Sequence, residues 1–397
     1  MKPFRLAAIH DIHLGHRRTL TEDIILHLNK HFTSDKFFAS IDMVVLVGDV
    51  FDNLLTLGSD ESIMIDLWMA RLYRLARKHN VLVRIVEGTP LHDRKQSKRF
   101  EALKEIHQKS QPDEVDLKYV SDLSVEHIPR FGIDVLYVPD EWLGGRTDKT
   151  LIQVREILEA KGLTQVDFAF MHGCFRYQIA FLPDNKVHSE QEYDKLVRYL
   201  IYIGHIHNRS VQGKIVAGGS FDRLSHGEEG MKGFVRSVFE SDGTHRTKFV
   251  DNPDAKIYKT IYCHHNDVEQ SLLYIDEIAK ALPSLSYVRV IAPKKCPILA
   301  SLAILQKRWP LLHWTCEEAK DKEQQEHGAK GTALLIEDDT FIPLSVTKEN
   351  IAQLLIERIS DKGVSDELLL RCEKQMQITL QVTLPKTSKT ELNVDTI

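Results

Sequence analysis

Cysteine is scarce in this chain: five cysteines are scattered over 397 residues without paired spacing. We therefore expect reduced thiols rather than a disulfide framework. Hydrophobic runs of membrane-spanning length are also absent, and the first residues, Met1 to Arg5, lead into a strand-like stretch without the apolar segment of a signal peptide. These absences predict a soluble, cytoplasmic protein that does not contact membranes.

The chain also has no excess of positively charged residues. Lys and Arg together number 52 against 57 Asp and Glu, which gives a formal net charge of -5. A free-standing nucleic-acid binder usually has a strongly basic face, so any contact with nucleic acid would need a local basic surface. Internal repeats and low-complexity tracts are not apparent, and the length suffices for two domains.

Four short runs of metal-ligand residues occur in a fixed order in the first half of the chain. They are Asp11-Ile12-His13, Gly48-Asp49-Val50-Phe51-Asp52, His172-Gly173 and Gly204-His205-Ile206-His207. Each run follows a β-branched or aliphatic stretch that predicts a buried strand: Leu6 to Ile9, Ile41 to Val47, Val166 to Met171 and Tyr199 to Ile203. Side chains at the ends of neighbouring strands can converge on one site.

The residue types in these runs indicate a metal centre. Carboxylates combined with imidazoles suit Mn²⁺, Fe²⁺ or Zn²⁺ in octahedral or near-octahedral coordination, whereas a structural tetrahedral zinc site would be expected to contain cysteine. Two ions a few ångströms apart need a shared ligand, and a carboxylate bridges well. The Gly48-Asp49 step would let the backbone approach such ions closely.

The four runs resemble those of the calcineurin-like metallophosphoesterases. Further motifs narrow the resemblance to the SbcD-type nucleases of DNA double-strand-break repair, which include bacteriophage versions. The first motif continues as Asp11-Ile12-His13-Leu14-Gly15, and the last is followed by Gly219-Ser220-Phe221-Asp222-Arg223-Leu224, Gly227-Glu228-Glu229 and Lys232-Gly233-Phe234. The resemblance extends from residue 4 to residue 240.

The resemblance implies two divalent metal ions, with Mn²⁺ as the expected ion. Asp49 would bridge them. The first ion would be held by Asp11, His13, Asp49 and His207, and the second by Asp49, His172 and His205.

One ligand of the family's pattern is missing. The second ion in the family also binds an Asn from a Gly-Asn-His-Asp motif, but the corresponding stretch here is Gly88-Thr89-Pro90-Leu91-His92-Asp93. The resemblance makes His92 the transition-state histidine, a candidate general acid for the leaving oxygen. Water, the Thr89 hydroxyl or His92 itself would then complete the second site.

Two further carboxylates are candidates for supporting roles. Asp52 either orients a metal-bound His or water, or caps the helix predicted to run through Ile63 to His79. Asp93 remains from the family's His-Asp pair and is also expected to support the metal ligands.

A cluster of basic residues follows His92. Arg94 with Lys98 and Lys95 with Arg99 are spaced i, i+4, and they form one basic stripe if the segment is helical. Such a stripe beside the metals could bind a phosphate backbone, whereas the alternative is a solvated helix face. The sequence leaves both open.

The order of predicted elements indicates an α/β protein. Residues 1–250 alternate apolar strands with helices such as Ser62 to Lys78 and Thr150 to Lys161, which predicts a metallophosphoesterase β-sandwich flanked by helices. Residues 255–343 read as a smaller α/β unit whose position resembles the capping domain that governs DNA access. Its predicted strands are Ile257 to Cys263, Tyr287 to Ile291 and His313 to Cys316, and its predicted helices are Val268 to Leu282 and Ile298 to Arg308.

The C-terminal region has its own sequence pattern, separate from the metal-ligand runs. Residues 345–384 predict a helical hairpin with an apolar stripe, followed by a disordered tail at 385–397. The resemblance implies that this hairpin docks on an SMC-like, SbcC-type ATPase within a homodimeric assembly, with Ile351, Leu355 and Leu369 as candidate anchors. Packing against the protein's own domains is the alternative.

The expected function is that of a metal-dependent DNA nuclease. It would act as a duplex-end exonuclease and single-strand endonuclease with an SMC-like ATPase in DNA repair, recombination or replication. Two alternatives stay open at this point: a small-molecule or cyclic-nucleotide phosphodiesterase, and a catalytically weakened scaffold of the same fold.

Overall fold

The computed structural model describes residues 1–108, 115–140, 146–179, 181–264 and 267–319. The predicted hairpin with Ile351, Leu355 and Leu369, and the predicted tail, lie outside these residues. The described residues form a mixed α/β fold with two six-stranded sheets flanked by helices, so the predicted α/β class is confirmed.

The first sheet carries the strands that lead into the first two ligand runs. Its strands are β1 (Phe4–His10), β2 (Met43–Val47), β3 (Leu82–Val86), β4 (Leu117–Val120), β11 (Gly233–Phe239) and β12 (His245–Asp251). They are ordered β12-β11-β1-β2-β3-β4, with β1 to β4 parallel and β11 antiparallel to both of its neighbours. The carboxyl ends of β1, β2 and β3 therefore share one edge.

The second sheet carries the strands that lead into the other two ligand runs. Its strands are β5 (Ser124–Ile128), β6 (Ile133–Val138), β7 (Val166–His172), β8 (Val197–Gly204), β9 (Ser210–Gln212) and β10 (Ile215–Ala217). The order is β5-β6-β7-β8-β10-β9, and β6, β7 and β8 are parallel neighbours. Their carboxyl ends share an edge as well.

The two sheets pack face to face. Side chains of β1 and β2, such as Leu6 and Val45, meet Val135, Phe170 and Tyr202 of the second sheet in one buried apolar cluster. Because side chains alternate along a strand, Ala7, Ile9, Val44 and Leu46 point the other way, towards helices. This burial on both faces explains why β2 is an unbroken hydrophobic run.

Helices cover the outer faces of the sandwich. The first sheet is covered by α1 (Thr21–His31), α2 (Asp35–Phe38), α3 (Asp60–His79) and α4 (Arg99–Gln108), and the second by α5 (Thr147–Ala160) and α6 (Glu190–Leu196). The predicted helices at 62–78 and 150–161 correspond to α3 and α5. Ser59 caps α3, because its hydroxyl accepts a hydrogen bond of 3.2 Å from the Ser62 N–H.

A third, smaller sheet follows the sandwich. It contains β13 (Tyr258–Tyr262), β14 (Tyr287–Ala292) and β15 (His313–Glu318), all parallel, and packs with α7 (Val268–Ala279) and α8 (Leu302–Arg308) around its own apolar cluster. The predicted strands and the first predicted helix lie at these positions. The second predicted helix is divided, because a 3-10 turn at Pro297–Ala300 ends at Ser301 before α8 begins.

The third sheet contacts the loop that follows the first ligand run. The Tyr258 hydroxyl lies 3.0 Å from Thr19 Oγ1, and the Tyr287 hydroxyl donates a hydrogen bond of 2.9 Å to the Arg18 carbonyl. The chain passes from the first sheet to the third between Asp251 and Tyr258. This small unit is thereby tied to the loop beside the ligand residues.

Within the described part of the chain, no helix combines the length and the apolarity needed to span a membrane. The four described cysteines have free thiols. Cys174 packs against Ile179 and Val187 in a small buried cluster, as expected of a packed residue rather than a ligand. Cys372 lies outside the described residues.

Candidate metal centre

Every predicted metal ligand lies just after a strand, at one edge of the sandwich. Asp11 and His13 follow β1, Asp49 follows β2, and His205 and His207 follow β8, while His172 is the last residue of β7. Because β1 runs parallel to β2, β7 runs parallel to β8 and the two sheets face each other, these ends meet. The structure brings all six predicted ligands together in this way.

The ligand atoms form two groups. Asp11, His13 and His207 offer ligand atoms that all lie within 4.8 Å of one another, and so do Asp49, His172 and His205. Both groups contain carboxylate and imidazole donors and no thiol, which suits first-row divalent ions. The described residues can therefore hold metal at this edge.

Asp49 lies between the two groups. Its Oδ2 atom is 3.2 Å from His172 Nε2 and 3.8 Å from His13 Nε2, and the residue is only 2% exposed. Ligands that share an ion at bond lengths of about 2.1 Å are separated by about 3 Å in cis and about 4.2 Å in trans positions. A single Asp49 oxygen is thus within reach of ligands from both groups.

The hydrogen bonds of the first group fix how its imidazoles face each other. His13 Nδ1 lies 3.0 Å from Asp52 Oδ1, and His207 Nδ1 lies 3.0 Å from Glu228 Oε1. Carboxylates only accept, so each Nδ1 donates and each neutral ring keeps a lone pair on Nε2. The two Nε2 atoms are 3.1 Å apart. Two facing lone pairs at this distance repel unless a proton or a metal cation lies between them.

The second group shows the same arrangement. His172 is fully buried, and its Nδ1 donates to the Val47 carbonyl at 3.1 Å. Its Nε2 makes no hydrogen bond of acceptable geometry among the described residues, and neither does Oδ2 of the buried Asp11. Unpartnered buried polar atoms are rare because they cost about 1–3 kcal/mol each. A metal ion at the first group would satisfy the Asp11 oxygen, and one at the second group would satisfy His172 Nε2.

The electrostatics of the centre favour positive charge. Burial alone would raise the pKa of the Asp49 carboxyl, but His172 and His13 hold it well below its usual range. Burial would likewise lower the pKa of His172, yet the Asp49 and Asp11 charges raise it well above its usual value. Protons and metal ions compete for such a place, since both neutralise the carboxylates.

The backbone around the ligands is strained. Asp11, His13, Asp49 and His205 all have positive φ, at 47°, 55°, 46° and 97°. Such conformations cost a non-glycine residue about 1–3 kcal/mol and persist where the surroundings enforce them. Here the His13 N–H donates to the Asp49 carbonyl at 2.9 Å, which ties the two loops together.

Glycines allow the loops to approach this closely. A Cβ on Gly48 would lie 2.0 Å from His172 Nδ1, and a Cβ on Gly88 would lie 2.0 Å from the Asp49 backbone nitrogen. No side chain can occupy either position without displacing a ligand residue. Gly48 thus lets the backbone approach His172 closely, while its predicted approach to metal ions stays a prediction.

Thr89 lies against the second ligand group. Its backbone N–H donates to Asp49 Oδ1 at 2.6 Å, and its hydroxyl lies 3.2 Å from Asp49 Oδ2 and 3.4 Å from His205 Nδ1. The hydroxyl therefore touches the second ligand group.

His92 lies beside the first group instead. Its Nδ1 donates to the Asp52 carbonyl at 2.9 Å, and its ring packs edge-on against that of His13 with 5.0 Å between centroids. His13, Asp52 and His92 also offer ligand atoms within 4.8 Å of one another. The side chain of His92 is 38% exposed, so one face of the ring is open to solvent.

The supporting carboxylates differ in what they contact. Asp52 accepts the hydrogen bond from His13, and the alternative that it caps a helix is wrong because Ser59 caps α3. Asp93 accepts from the Phe51 N–H at 2.8 Å and from the Gly88 N–H at 2.7 Å. It therefore joins the loops that carry Asp49 and Thr89, while Asp52 orients a ligand directly.

The basic residues after His92 do not form one helical stripe. Arg94 and Lys95 have positive φ, at 48° and 58°, a 3-10 turn follows at Gln96–Lys98, and α4 begins only at Arg99. The helix fails to start earlier because two left-handed residues cannot belong to it. Arg99 is committed to an ion pair of 2.6 Å with Asp66.

Three residues near the ligands had no assigned role from the sequence: Glu228, Lys232 and Asp140. Glu228 belongs to the Gly227-Glu228-Glu229 motif. Its carboxylate accepts a hydrogen bond from His207 and a second one, of 2.6 Å, from the buried Lys232. Lys232 also donates to the His207 carbonyl at 3.0 Å. Asp140 follows β6, where no motif marks it, and its Oδ2 accepts from the Thr89 hydroxyl at 3.0 Å.

Glu228→Gln tests whether the motif after the last ligand run orients a ligand. The amide can present its NH₂ group to His207 and so reverse the ring's tautomer, or leave Lys232 without its carboxylate partner. We expect metal affinity at the first group to fall about 10- to 100-fold. Isothermal titration with MnCl₂ measures this. Glu229→Gln is the matched control, because Glu229 contacts Lys259 on the surface and should leave the affinity unchanged.

Comparison with known proteins adds little. No family model matches the chain, and no curated protein does either. One solved crystal structure aligns over 99% of its own chain and 62% of this chain, at 13% identity and a TM-score of 0.34. A likeness of that size carries no argument about fold or activity, so the chemistry of the centre follows from its own residues.

Proposed function

We propose that this protein is a two-metal phosphodiesterase that cleaves the DNA backbone, with Mn²⁺ as its ion. The observation that carries the proposal is the position of Asp49 Oδ2, within 3.8 Å of imidazole nitrogens from both ligand groups. A site for one ion has no need of a second ligand group around a shared carboxylate. Hydrolysis of phosphate esters is the chemistry that paired ions of this kind support.

Bound divalent ions would polarise the phosphodiester and lower the pKa of water at the site. The chain's own residues hold and orient the ligands. Asp52 and Glu228 fix the tautomers of His13 and His207, and the Val47 carbonyl fixes that of His172. These contacts keep the Nε2 atoms directed into the centre before any ligand arrives, which lowers the cost of reorganisation on binding.

His92 is proposed to assist departure of the sugar oxygen. Its Nδ1 is committed to the Asp52 carbonyl, so its Nε2 is the nitrogen that remains for a substrate. Asp52 Oδ1 lies 3.7 Å from the ring and would stabilise a charged imidazolium. With its side chain 38% exposed beside the first group, His92 can reach an oxygen of a phosphodiester as a hydrogen-bond donor.

DNA is the proposed substrate class. The SbcD-like motifs support this proposal, and so do the residues that surround the metal centre. Arg17 and Arg18 are exposed on the loop that follows His13, where they can contact phosphates despite the negative net charge of the protein. The third sheet contacts that same loop through Tyr258 and Tyr287, which suits a unit that restricts access. The activity would serve DNA repair, recombination or replication in the cytoplasm.

The proposal is tested by digesting end-labelled DNA with the purified full chain. Duplex and single-stranded substrates are incubated with MnCl₂ or EDTA, with and without a candidate SMC-like ATPase. We expect metal-dependent cleavage of single strands by the protein alone and ATP-stimulated degradation from duplex ends when the ATPase is present. Hydrolysis of cyclic nucleotides without DNA cleavage would favour the small-molecule alternative, and binding of the ATPase without hydrolysis would favour a scaffold.

Docking on the ATPase is proposed for the C-terminal segment. Leu355→Glu combined with Leu369→Glu places two charges on the predicted apolar stripe, and Ile351 offers a third position on it. We expect loss of co-purification with the ATPase and of ATP-stimulated duplex degradation, while cleavage of single strands continues because all candidate ligands precede residue 210. Loss of both activities together, or unfolding, would mean that the segment packs against its own protein.

A further inference from the structure

The metallophosphoesterase pattern includes an Asn ligand at the second metal, and the second ligand group here has no such residue. A carboxylate, Asp140, lies close to this group instead. Asp140 follows β6, the parallel neighbour of β7, so it emerges at the same edge as His172. Its side chain is only 13% exposed. Its Oδ1 atom lies 3.7 Å from the position that a Cβ on Gly173 would take, so the carboxylate is next to the residue that follows His172.

Asp140 lies close to Thr89 and His205, and Thr89 in turn lies close to Asp49 of the second group. Asp140 Oδ2 lies 3.0 Å from Thr89 Oγ1 and 3.8 Å from His205 Nδ1. Thr89 Oγ1 lies 3.2 Å from Asp49 Oδ2. These separations fall within the range of about 3 to 4.2 Å that ligands of one six-coordinate ion span.

The Thr89 hydroxyl cannot satisfy all these neighbours by itself. It has one hydrogen and can donate to Asp49 or to Asp140 but not to both at once. Two carboxylates therefore share this one hydrogen next to His172 Nε2, which lies 3.2 Å from Asp49 Oδ2. A cation at this position would neutralise both carboxylates and leave the hydroxyl free to donate to one of them.

We infer that Asp140, together with the Thr89 hydroxyl, completes the second cation site in place of the missing amide. This rests on the proposed two-metal function and deepens it. The exchange of a neutral amide for a carboxylate adds one negative charge to the second site, so this site binds its divalent ion more tightly than Thr89 alone would allow. His92 is then not needed as a ligand, in agreement with its contacts to Asp52 and His13 in the first group.

The test measures metal binding directly. MnCl₂ is titrated calorimetrically into metal-free full-length protein, and low-temperature EPR reports whether the bound Mn²⁺ ions form a spin-coupled pair. The isosteric variant Asp140→Asn should bind the first ion as the wild type does and the second at least about tenfold more weakly, with loss of the coupled-pair signal. Asp194→Asn is the matched control, since Asp194 is 62% exposed and pairs with Lys214 at the opposite end of β8.

A rescue variant separates ligand loss from a structural effect. Thr89→Asn added to Asp140→Asn restores an amide at the second group, and it should recover the second ion's affinity and the pair signal. Failure to recover either, or a melting temperature of Asp140→Asn already below that of the wild type in EDTA, would assign Asp140 a structural role and overturn the inference.

Two further outcomes distinguish this inference from the function on which it rests. If the wild type binds two Mn²⁺ ions and Asp140→Asn binds both with unchanged affinity, Asp140 is not part of the site and the two-metal proposal stands. If the wild type binds fewer than two ions, the two-metal proposal fails and the inference fails with it.

Discussion

Asp49→Asn should lower phosphodiester hydrolysis by about two orders of magnitude or more. The substitution removes an anionic oxygen that lies within 3.8 Å of imidazoles from both ligand groups. The fold should persist, because an amide oxygen still accepts the Thr89 N–H and the amide NH₂ can donate to His172 Nε2. Turnover of a labelled single strand in metal-defined buffer measures the effect.

The control for this variant is Asp35→Asn. Asp35 is a surface carboxylate, 60% exposed in its side chain and paired with Lys78, so its loss should not alter turnover. Thermal melting in EDTA verifies that Asp49→Asn is folded. Hydrolysis near the wild-type rate in a folded Asp49→Asn protein would rule out the bridging assignment.

His92→Ala should lower turnover by about 10²- to 10⁴-fold, the usual contribution of a positioned general acid. DNA affinity should stay within a few fold, since the residue is assigned to the transition state rather than to binding. Mn²⁺ stoichiometry should stay unchanged as well, because His92 donates to the Asp52 carbonyl beside the first group while Thr89 and Asp140 lie at the second. Single-turnover kinetics, DNA binding in Ca²⁺ and calorimetry measure the three quantities.

His127→Ala is the matched control for the histidine. His127 is an exposed residue of β5 that pairs with Asp134 at the far end of the second sheet, so its removal should leave all three quantities as they are. Loss of a bound Mn²⁺ ion from His92→Ala would contradict the assigned role and make His92 a metal ligand.

The convergence of the six candidate ligands was predictable because two independent signals coincide in the sequence. A run such as Met43–Val47 is buried on both faces, so its hydrophobicity is continuous and the strand is visible without knowledge of the fold. The polar residue that ends each run must then lie at a sheet edge. Parallel pairing of β1 with β2 and of β7 with β8 brings those edges together, and the order of the motifs indicates this pairing.

The segment after His92 was not predictable by the same means. Its i, i+4 spacing suggests a helix, but Arg94 and Lys95 adopt left-handed conformations instead. The cause lies in tertiary contacts: the Lys95 N–H donates to Glu87 Oε1 at 2.7 Å, and Asp93 is tied to the Phe51 N–H. Local periodicity contains no information on such contacts, which determine where α4 begins.

Asp52 was predicted as a supporting carboxylate, but Asp140 and Glu228 were beyond the reach of spacing arguments. Asp140 follows a strand but belongs to no motif, and its approach to Thr89 depends on the pairing of β6 with β7. Glu228 is part of a quoted motif, yet its contact with His207 spans 21 residues and two loops. A carboxylate that contacts a candidate ligand can come from a distant part of the chain, and the fold then identifies it where no motif does.

Anomalous X-ray scattering from crystals grown with MnCl₂ tests the central claim most directly. Data collected above and below the manganese absorption edge should show two peaks about 3.5–4 Å apart, one beside Asp11, His13 and His207 and one beside His172 and His205, with Asp49 between them. A single peak at this edge of the sandwich, or manganese bound elsewhere, would contradict the two-metal centre.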